Sequence, residues 1–398
     1  MIRLPLLLLL FSPWALGHKE YFGGPQGRVK RQMARLSTKW TNGQVNYEIG
    51  PYPREGQTEV LRAGMDYISN RTCIKFVESS TATQRIYVQM GAFGCESPVG
   101  APGTRSSPHG KHDFLFGACS RLISTAVHEL LHTLGSIHEH QRSDRDNFLW
   151  INQSVINSRG IKSDFMTKDG SLYPNLVPFD HASVLMYDWS RYAQEPGDQI
   201  FGAWDPELDY SLGNGRITYF DMWRVNDFYK CWCPKELACA NQAETNPGDC
   251  TKCWCPMGWF GRLCDQRQPG SIQRTATTQW QTQSITSKWQ STPESAKGHY
   301  STYTYIDAPA GKTIQVKVDK MEGYNCQPGC KIQGIEIKTR IQPNGDKRIT
   351  SPILCCNNDK QKSLYTKTFE WKQSPLIIDT YSLFSSDPST VTIRYRYV

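Results

Sequence analysis

A chain of 398 residues is long enough for two or three domains and at least one sizeable hydrophobic core. The formal charge of +8 is modest for this size and spread along the chain; because no nucleic-acid-binding motif accompanies it, we expect no nucleic-acid partner. The even count of 14 cysteines is typical of an oxidising compartment and favours a disulfide-bonded protein over a cytosolic one.

The amino-terminal residues have the pattern of a cleavable secretory signal. Residues 1–17 combine an early cation, Arg3, with a short apolar run and a small-x-small exit at Ala15–Gly17. The run is too short to cross a membrane, and no later stretch is long and apolar enough, so the sequence predicts a secreted, extracellular protein without a membrane span. The sequons at Asn70 and Asn152 would then be available for glycosylation.

A basic quartet, Arg28–Arg31, follows a short polar and glycine-rich stretch. Such quartets are often solvated charge clusters, but this one lies between a signal and the start of a predicted domain, where a protease could reach it. We therefore predict a propeptide at residues 18–31, removed by a furin-like protease after Arg31.

Residues 32–231 have the pattern of a mixed α+β domain. Residues 45–49 alternate apolar and polar side chains like a strand, and Leu61, Met65 and Ile68 recur at the spacing of one helix face. Further strands are predicted at residues 73–76 and 85–88. Thr218 is expected to cap a last helix that ends near Cys231.

The string HExxHxxGxxH begins at His128 and predicts a catalytic zinc site. His128 and His132 are four apart, so on a helix both imidazoles lie on one face and can bind one metal ion. Glu129 can polarise a water in the same cleft. Gly135 permits a left-handed turn that brings His138 back as the third ligand. Three protein ligands leave a fourth position open, as in catalytic zinc sites.

The other histidines that we considered have no partners at ligand spacing. We interpret them as surface or core residues: His109, His112, His140, His181 and His299.

Beyond His138 the chain continues with Glu139, Arg142 and Asp144–Asp146, and it then resembles the astacin family of metzincin endopeptidases, whose signature is HExxHxxGxxHExxRxDRD. The resemblance implies an α+β catalytic domain with an active-site helix. It also implies bound Zn2+, extracellular protein or peptide substrates, and Glu129 as the general base.

Residues 183–187 occupy the place of the family's Met-turn, usually written S-[IV]-M-H-Y. By resemblance, Tyr187 lies over the zinc and steadies the transition-state oxyanion. Leu185 stands where the family has methionine, and Met186 stands where it has histidine. Leucine nearly conserves the volume of methionine, so we expect Leu185 to form the floor of the site. A one-residue shift that uses Met186 instead would displace Tyr187.

The resemblance also bears on latency. Family pro-segments carry an aspartate that binds the zinc, but Pro25 holds that position here. In the family the freed amino terminus meets the glutamate after the third histidine, here Glu139. Cleavage after Arg31 exposes Gln32, which can cyclise and lose its ammonium. We therefore expect weak self-inhibition.

Residues 232–265 carry six cysteines and resemble an EGF-like module. A zinc ribbon is the competing interpretation, but the second paired half is missing. No acidic cluster precedes Cys233, so we predict no calcium site. By resemblance to the two modules, the bridges would be Cys73–Cys231 and Cys95–Cys119 in the catalytic domain, then Cys233–Cys250, Cys239–Cys253 and Cys255–Cys264.

Residues 266–398 alternate apolar and polar side chains at 314–318, 335–338 and 391–395, which predicts an antiparallel β-sandwich. The region resembles a divergent CUB domain. Its clustered cysteines should form the last two bridges, but their pairing stays open: Cys326, Cys330, Cys355 and Cys356.

Two functions compete. One is a secreted zinc endopeptidase whose carboxy-terminal modules serve targeting or substrate selection. The other is an adhesion protein with an inert protease domain. The presence of His128, Glu129, His132, His138 and Tyr187 favours the enzyme.

Overall fold

The computed structural model describes residues 31–33, 39–91, 93–102, 111–119, 121–165, 173–174, 177–195, 198–291, 298–383 and 387–398. The predicted signal segment and residues 18–30 of the predicted propeptide lie outside these ranges. Among the described helices, none has both the length and the apolar character needed to cross a membrane.

The first lobe, residues 31–133, packs two helices against a mixed sheet. Its elements are β1 (Arg31–Met33), β2 (Gln44–Ile49), α1 (Gln57–Ser69), β3 (Lys75–Glu78), β4 (Arg85–Gln89), β5 (Cys95–Glu96), β6 (Lys111–Phe116) and α2 (Ile123–Thr133). The sheet order is β3-β2-β4-β6-β5, and only the edge strand β5 runs antiparallel to its neighbour. The predicted face of α1, with Leu61, Met65 and Ile68, is buried.

The strand predicted at residues 73–76 begins later, at Lys75. The Thr72 hydroxyl donates to the Ile68 carbonyl and accepts from the Ile74 amide, so this segment forms a turn after α1. Cys73 is held there by its bridge to Cys231. The turn therefore delays the strand by two residues.

Helices α1 and α2 cross at close range. A Cβ atom added at Gly64 of α1 would lie 2.6 Å from the Cβ of Ala126 on α2, which is closer than real contacts allow. Leu130 and Leu134, around the end of α2, lie in the same buried core as Val45 and Phe114 of the sheet. This packing holds the zinc-motif helix rigidly against the first lobe.

The second lobe, residues 139–231, has little regular structure. Its elements are β7 (Leu149–Ile151), α3 (Gln153–Ser158), α4 (Lys162–Phe165), β8 (Tyr173–Pro174), β9 (Phe201–Ala203) and α5 (Tyr219–Tyr229), with short 3-10 helices at Glu139–Gln141, Arg145–Asn147 and Pro206–Ser211. Thr218 and Asp221 form a capping box at the start of α5, where the sequence predicts a cap. The helix stops at Tyr229 rather than Cys231 because Lys230 adopts a left-handed conformation with φ 59°.

Beyond α5, residues 232–265 form a small disulfide-bonded unit with two short strands, β10 (Glu244–Thr245) and β11 (Cys253–Trp254). All 14 cysteines are paired. The bridges are Cys73–Cys231, Cys95–Cys119, Cys233–Cys250, Cys239–Cys253, Cys255–Cys264, Cys326–Cys356 and Cys330–Cys355. The last two resolve the pairing that the sequence leaves open.

The carboxy-terminal region is a two-sheet β-sandwich. Its elements are β12 (Ile272–Thr275), β13 (Gln281–Ser287), β14 (His299–Asp307), β15 (Ile314–Glu322), β16 (Gln333–Ile337), β17 (Ile353–Leu354), α6 (Lys362–Thr366), β18 (Phe369–Trp371), β19 (Leu376–Leu383) and β20 (Ser389–Tyr397). One sheet has the order β12-β14-β19-β16-β17 and the other β13-β20-β15-β18. The pairing is antiparallel except between β12 and β14, which run parallel, so the purely antiparallel prediction is wrong at that edge.

The sandwich shares a hydrophobic core with the second lobe. Leu149, Phe201 and Leu212 of the lobe cluster with Ile353 and Tyr381 of the sandwich. Within the second lobe itself, two backbone segments also approach each other closely. Gly213 adopts φ +70°, and a Cβ there would lie 2.2 Å from the amide nitrogen of Asp188.

Two neighbouring glycines allow this close approach to be tested. Gly213 and Gly215 both have positive φ, but a Cβ at Gly215 would meet nothing within 4 Å. Gly215→Ala should therefore cost only left-handed strain, about 1–2 kcal/mol. Gly213→Ala should cost roughly 2–5 kcal/mol, because overpacking against the Asp188 backbone adds to the strain. Calorimetric melting of the two variants side by side checks this, and equal losses would contradict the close contact.

Candidate metal centre and active site

The end of α2 brings the third histidine back toward the first two. Gly135 has φ 102°, the Gly135 amide donates to the His132 carbonyl at 2.8 Å, and the Ser136 amide donates to the Leu131 carbonyl at 2.9 Å. These two bonds form a Schellman motif, which closes the helix and reverses the chain. His138 then lies beside His132, with ring centroids 4.5 Å apart.

Backbone carbonyls orient two of the three imidazoles. The Nδ1 of His128 lies 2.7 Å from the Val184 carbonyl oxygen, and the Nδ1 of His132 lies 2.7 Å from the Ser136 carbonyl oxygen. A carbonyl can only accept, so each Nδ1 carries the proton. In a neutral imidazole the Nε2 lone pair is then free to bind a metal.

The three Nε2 atoms converge. The Nε2 of His132 lies 3.2 Å from that of His128 and 3.3 Å from that of His138, close to the spacing of about 3.3 Å expected for two nitrogen ligands of a tetrahedral zinc ion. Burial lowers the pKa of all three imidazoles, that of His132 to about 3, which keeps them neutral. Among the described residues, these three form the only group of histidine, cysteine and carboxylate side chains placed to hold a metal ion. The donors fit zinc.

Glu129 lies on the buried side of α2, next to the edge strand β5. Burial and the nearby Glu96 carboxylate raise the pKa of Glu129 to about 8, while a backbone hydrogen bond from Ser97 opposes that rise. A cation held by the three imidazoles would favour the ionised carboxylate. The Glu129 carboxyl is therefore buried on the helix that carries His128 and His132, near the Glu96 carboxylate.

Tyr187 faces the same centre from the second lobe. Its ring centroid lies 4.6 Å from the ring centroid of His138 and 4.3 Å from that of His140. Leu185 is fully buried in the core that includes Leu130 and Leu134, whereas Met186 packs in the core of the second lobe. This burial is compatible with the unshifted register of the Met-turn, which stays a prediction.

A cluster of buried charges lies behind the ligands. Glu139 is fully buried, and its carboxylate accepts from Arg142 at 2.9 Å and from Arg224 of α5 at 3.1 Å. Arg224 also contacts Asp221, with nitrogen and oxygen 3.3 Å apart. Arginine suits such sites because its guanidinium stays charged and offers several donors. Glu139 thus meets two guanidinium groups in the uncut chain. The contact with a freed amino terminus, which the family resemblance implies for the processed form, stays a prediction.

Asp221 connects this cluster to the first ligand. Its carboxylate accepts from the Ser183 hydroxyl at 2.6 Å and from the Val184 amide at 3.0 Å. The carbonyl of Val184 is the group that orients His128. The Leu185 carbonyl accepts from the Glu139 amide at 3.0 Å. The segment 183–185 is therefore fixed from both sides.

Sequence reasoning missed several of these residues. Arg142 and Asp144 belong to the signature, but the sequence assigns them no role. Asp221 is predicted only as part of the start of a helix. Arg224 has no local signal in the sequence. His140, interpreted as a surface or core residue, stacks on His138 with ring centroids 5.2 Å apart. The sequence offered one signal for His140, which is its position two residues after the third ligand, His138.

The chain is similar to several known proteins. The family model described as Astacin, a family of peptidases, matches residues 32–230. Zinc metalloproteinase nas-19 of Caenorhabditis elegans is 39% identical over 376 residues, covering 93% of this chain and 89% of that protein. Zinc metalloproteinase nas-24 of the same organism is 38% identical over 379 residues, covering 94% and 90%.

Among solved structures, high choriolytic enzyme 1, a hatching-enzyme zinc protease from Oryzias latipes, is 25% identical, with a TM-score of 0.41 over 48% of this chain and 92% of that chain. The family model covers half of the chain, and the nematode relatives cover nearly all of it. The chain therefore belongs to the astacin family and is a zinc metalloendopeptidase.

Proposed function

We propose that this endopeptidase is secreted and cleaves extracellular proteins, with Glu129 as the general base and Tyr187 as the oxyanion donor. One arrangement of side chains carries the proposal. Three Nε2 atoms converge on one point, the buried Glu129 carboxyl lies on the same helix, and the Tyr187 ring faces the centre from the opposite lobe.

Zinc held by His128, His132 and His138 would supply Lewis acidity for a peptide carbonyl and would lower the pKa of a water toward 7. Glu129 takes a proton from the attacking water and later returns it to the leaving amine. The Tyr187 hydroxyl donates to the oxygen that becomes negative in the transition state. The zinc, Glu129 and Tyr187 thus have separate tasks in the reaction.

The domain assignments and processing belong to the same proposal. We assign the signal to residues 1–17, the propeptide to 18–31, the protease to 32–231, an EGF-like domain to 232–265 and a CUB-like domain to 266–398. The three bridges within 233–264 and the two-sheet sandwich support the last two assignments. Asn70 and Asn152 are exposed, which is compatible with glycosylation.

Weak latency is also part of the proposal. Met33 of β1 forms a bridge to Ser136, three residues before Glu139, so a chain cut after Arg31 would begin beside the site. Arg142 and Arg224 already pair with Glu139 without that cut. A furin-like protease would therefore raise the activity only modestly.

The first prediction concerns Glu129. Glu129→Gln should retain zinc, because the residue is not a ligand, but should lower kcat by about 10²–10⁴-fold, the usual contribution of a general base. Glu59→Gln, which changes an exposed carboxylate in the first turn of α1, serves as the control and should remain close to the parent. Zinc content by mass spectrometry and kcat on a fluorogenic peptide check both variants. Near-normal turnover by Glu129→Gln would contradict the assignment.

The second prediction concerns Tyr187. Tyr187→Phe keeps the ring against His138 and His140 and loses only the hydroxyl, so folding and zinc content should be unchanged. The rate should fall by about 10²–10³-fold, equivalent to roughly 2.7–4 kcal/mol for one oxyanion donor. A phosphinic peptide that imitates the tetrahedral transition state should bind correspondingly more weakly. Unchanged kcat together with unchanged phosphinate affinity would exclude this role.

A further inference from the structure

In the sheet β12-β14-β19-β16-β17 of the sandwich, the strands β16 and β19 are buried on both faces. All five residues of β16 and seven of the eight residues of β19 are buried. Leu376 and Ile378 of β19 face the core between the two sheets, while Tyr381 belongs to the core shared with the second lobe. A module joined only by a flexible linker would leave that second face to solvent.

A buried ion pair joins this face to the protease. Arg216, which precedes α5, contacts Asp379 of β19, and their side chains are 8% and 0% exposed. Burial opposes the charged guanidinium, yet the Asp379 carboxylate raises the pKa of Arg216 above its usual value. The guanidinium also lies over the Tyr381 ring, 4.1 Å from its centroid. Losing one partner of such a pair would leave an uncompensated buried charge.

The residues just before Arg216 make a second set of contacts. The side-chain amide of Asn214 donates to the Gly329 carbonyl at 2.7 Å and to the Tyr381 hydroxyl at 2.8 Å. Tyr381 in turn donates to the Cys330 carbonyl at 2.7 Å. A Cβ at Gly329 would lie 2.7 Å from the Gly213 carbonyl oxygen, so the two backbones touch. These contacts hold the loop 213–216 against the sandwich.

The same loop touches the residue that follows Tyr187. The Gly213 backbone packs against Asp188, whose carboxylate accepts from the Lys331 ammonium of the sandwich at 2.7 Å and from the Ser190 amide at 3.0 Å. Burial opposes ionisation of Asp188, but Lys331 lowers the pKa of this carboxyl below its usual value. Tyr187 is thus one peptide bond from a backbone that is held by the sandwich.

We propose that the β-sandwich is a fixed part of the catalytic unit and that Lys331 and Tyr381 are positioning residues for Tyr187. This goes beyond targeting or substrate selection, and it rests on the proposed role of Tyr187 as the oxyanion donor. The sandwich acts through two routes, the loop 213–216 and the Lys331–Asp188 pair. Loosening either route shifts the phenol relative to the metal centre, which lowers kcat with little effect on KM.

The first experiment compares two buried tyrosines of the same sheet in the full-length enzyme. Tyr381→Phe removes the hydroxyl that binds Asn214 and Cys330, whereas Tyr305→Phe removes one that binds the Gly258 carbonyl at 2.8 Å and the Gln268 amide at 3.0 Å, outside the protease domain. Both variants should lose similar thermal stability. Only Tyr381→Phe should lower kcat, by about threefold or more, with KM within about twofold.

The second experiment compares two lysines of the sandwich, each of which forms an ion pair. Lys331→Met breaks the pair with Asp188, and Lys320→Met breaks the pair with Glu322, also at 2.7 Å but between two exposed side chains of β15. Lys331→Met should lower kcat, Lys331→Arg should restore it, and Lys320→Met should match the parent. The conservative rescue separates positioning by charge from nonspecific loss of packing.

The proposal would be overturned if Tyr381→Phe and Lys331→Met both kept the kcat of the parent. It would also be overturned if the matched controls, Tyr305→Phe and Lys320→Met, lost as much kcat as these two variants. The role of Tyr187 is tested separately by Tyr187→Phe in the same assay. If Tyr187→Phe is fully active, the oxyanion assignment fails. If Tyr187→Phe is impaired while the sandwich variants retain parent kcat, only the positioning by the sandwich fails.

Discussion

The active site depends on a buried cluster of charges that joins three distant parts of the chain. Asp221 and Arg224 come from the last helix of the protease, Glu139 follows the third metal ligand, and Ser183 opens the turn beneath the site. Charges buried this deeply need partners, because an isolated carboxylate in a low-dielectric interior is strongly destabilised. Asp180 belongs to the same cluster, and its amide donates to Glu139. Its own carboxylate is only partly compensated, because burial and the Asp221 charge raise the pKa of Asp180 to about 7.

The cluster explains why short, irregular segments can carry precise chemistry. The second lobe has few regular elements, so hydrogen bonds to charged groups, disulfides and contacts with other domains replace a sheet. The bridge from Cys73 to Cys231 ties the end of α5 to the first lobe. The pair of Arg216 with Asp379 joins the lobe to the sandwich. The second lobe is thus tied to the first lobe by a disulfide and to the sandwich by a buried ion pair.

Local patterns in the sequence were sufficient for the metal ligands and the regular elements. The spacing of His128, His132 and His138 follows from helix geometry and one left-handed glycine, both of which are local properties. The partners Arg224 and Asp379 were not predictable, because they lie far along the chain from the groups that they contact. A signal existed for Asp379, because it is the one charged residue in the mostly apolar strand β19, a composition that indicates burial on both faces.

The central claim is that buried charges behind the site hold the metal ligands in place. The most direct measurement is the zinc dissociation constant of Asp221→Asn, obtained by competition with a chromophoric chelator. An amide cannot accept from Ser183, Val184 and Thr218 together, so we expect zinc binding to weaken by about 10–100-fold. Asp227→Asn, on the same helix but paired with the half-exposed Lys230, is the matched control and should bind zinc like the parent. A folded Asp221→Asn enzyme with parental zinc affinity would contradict the claim.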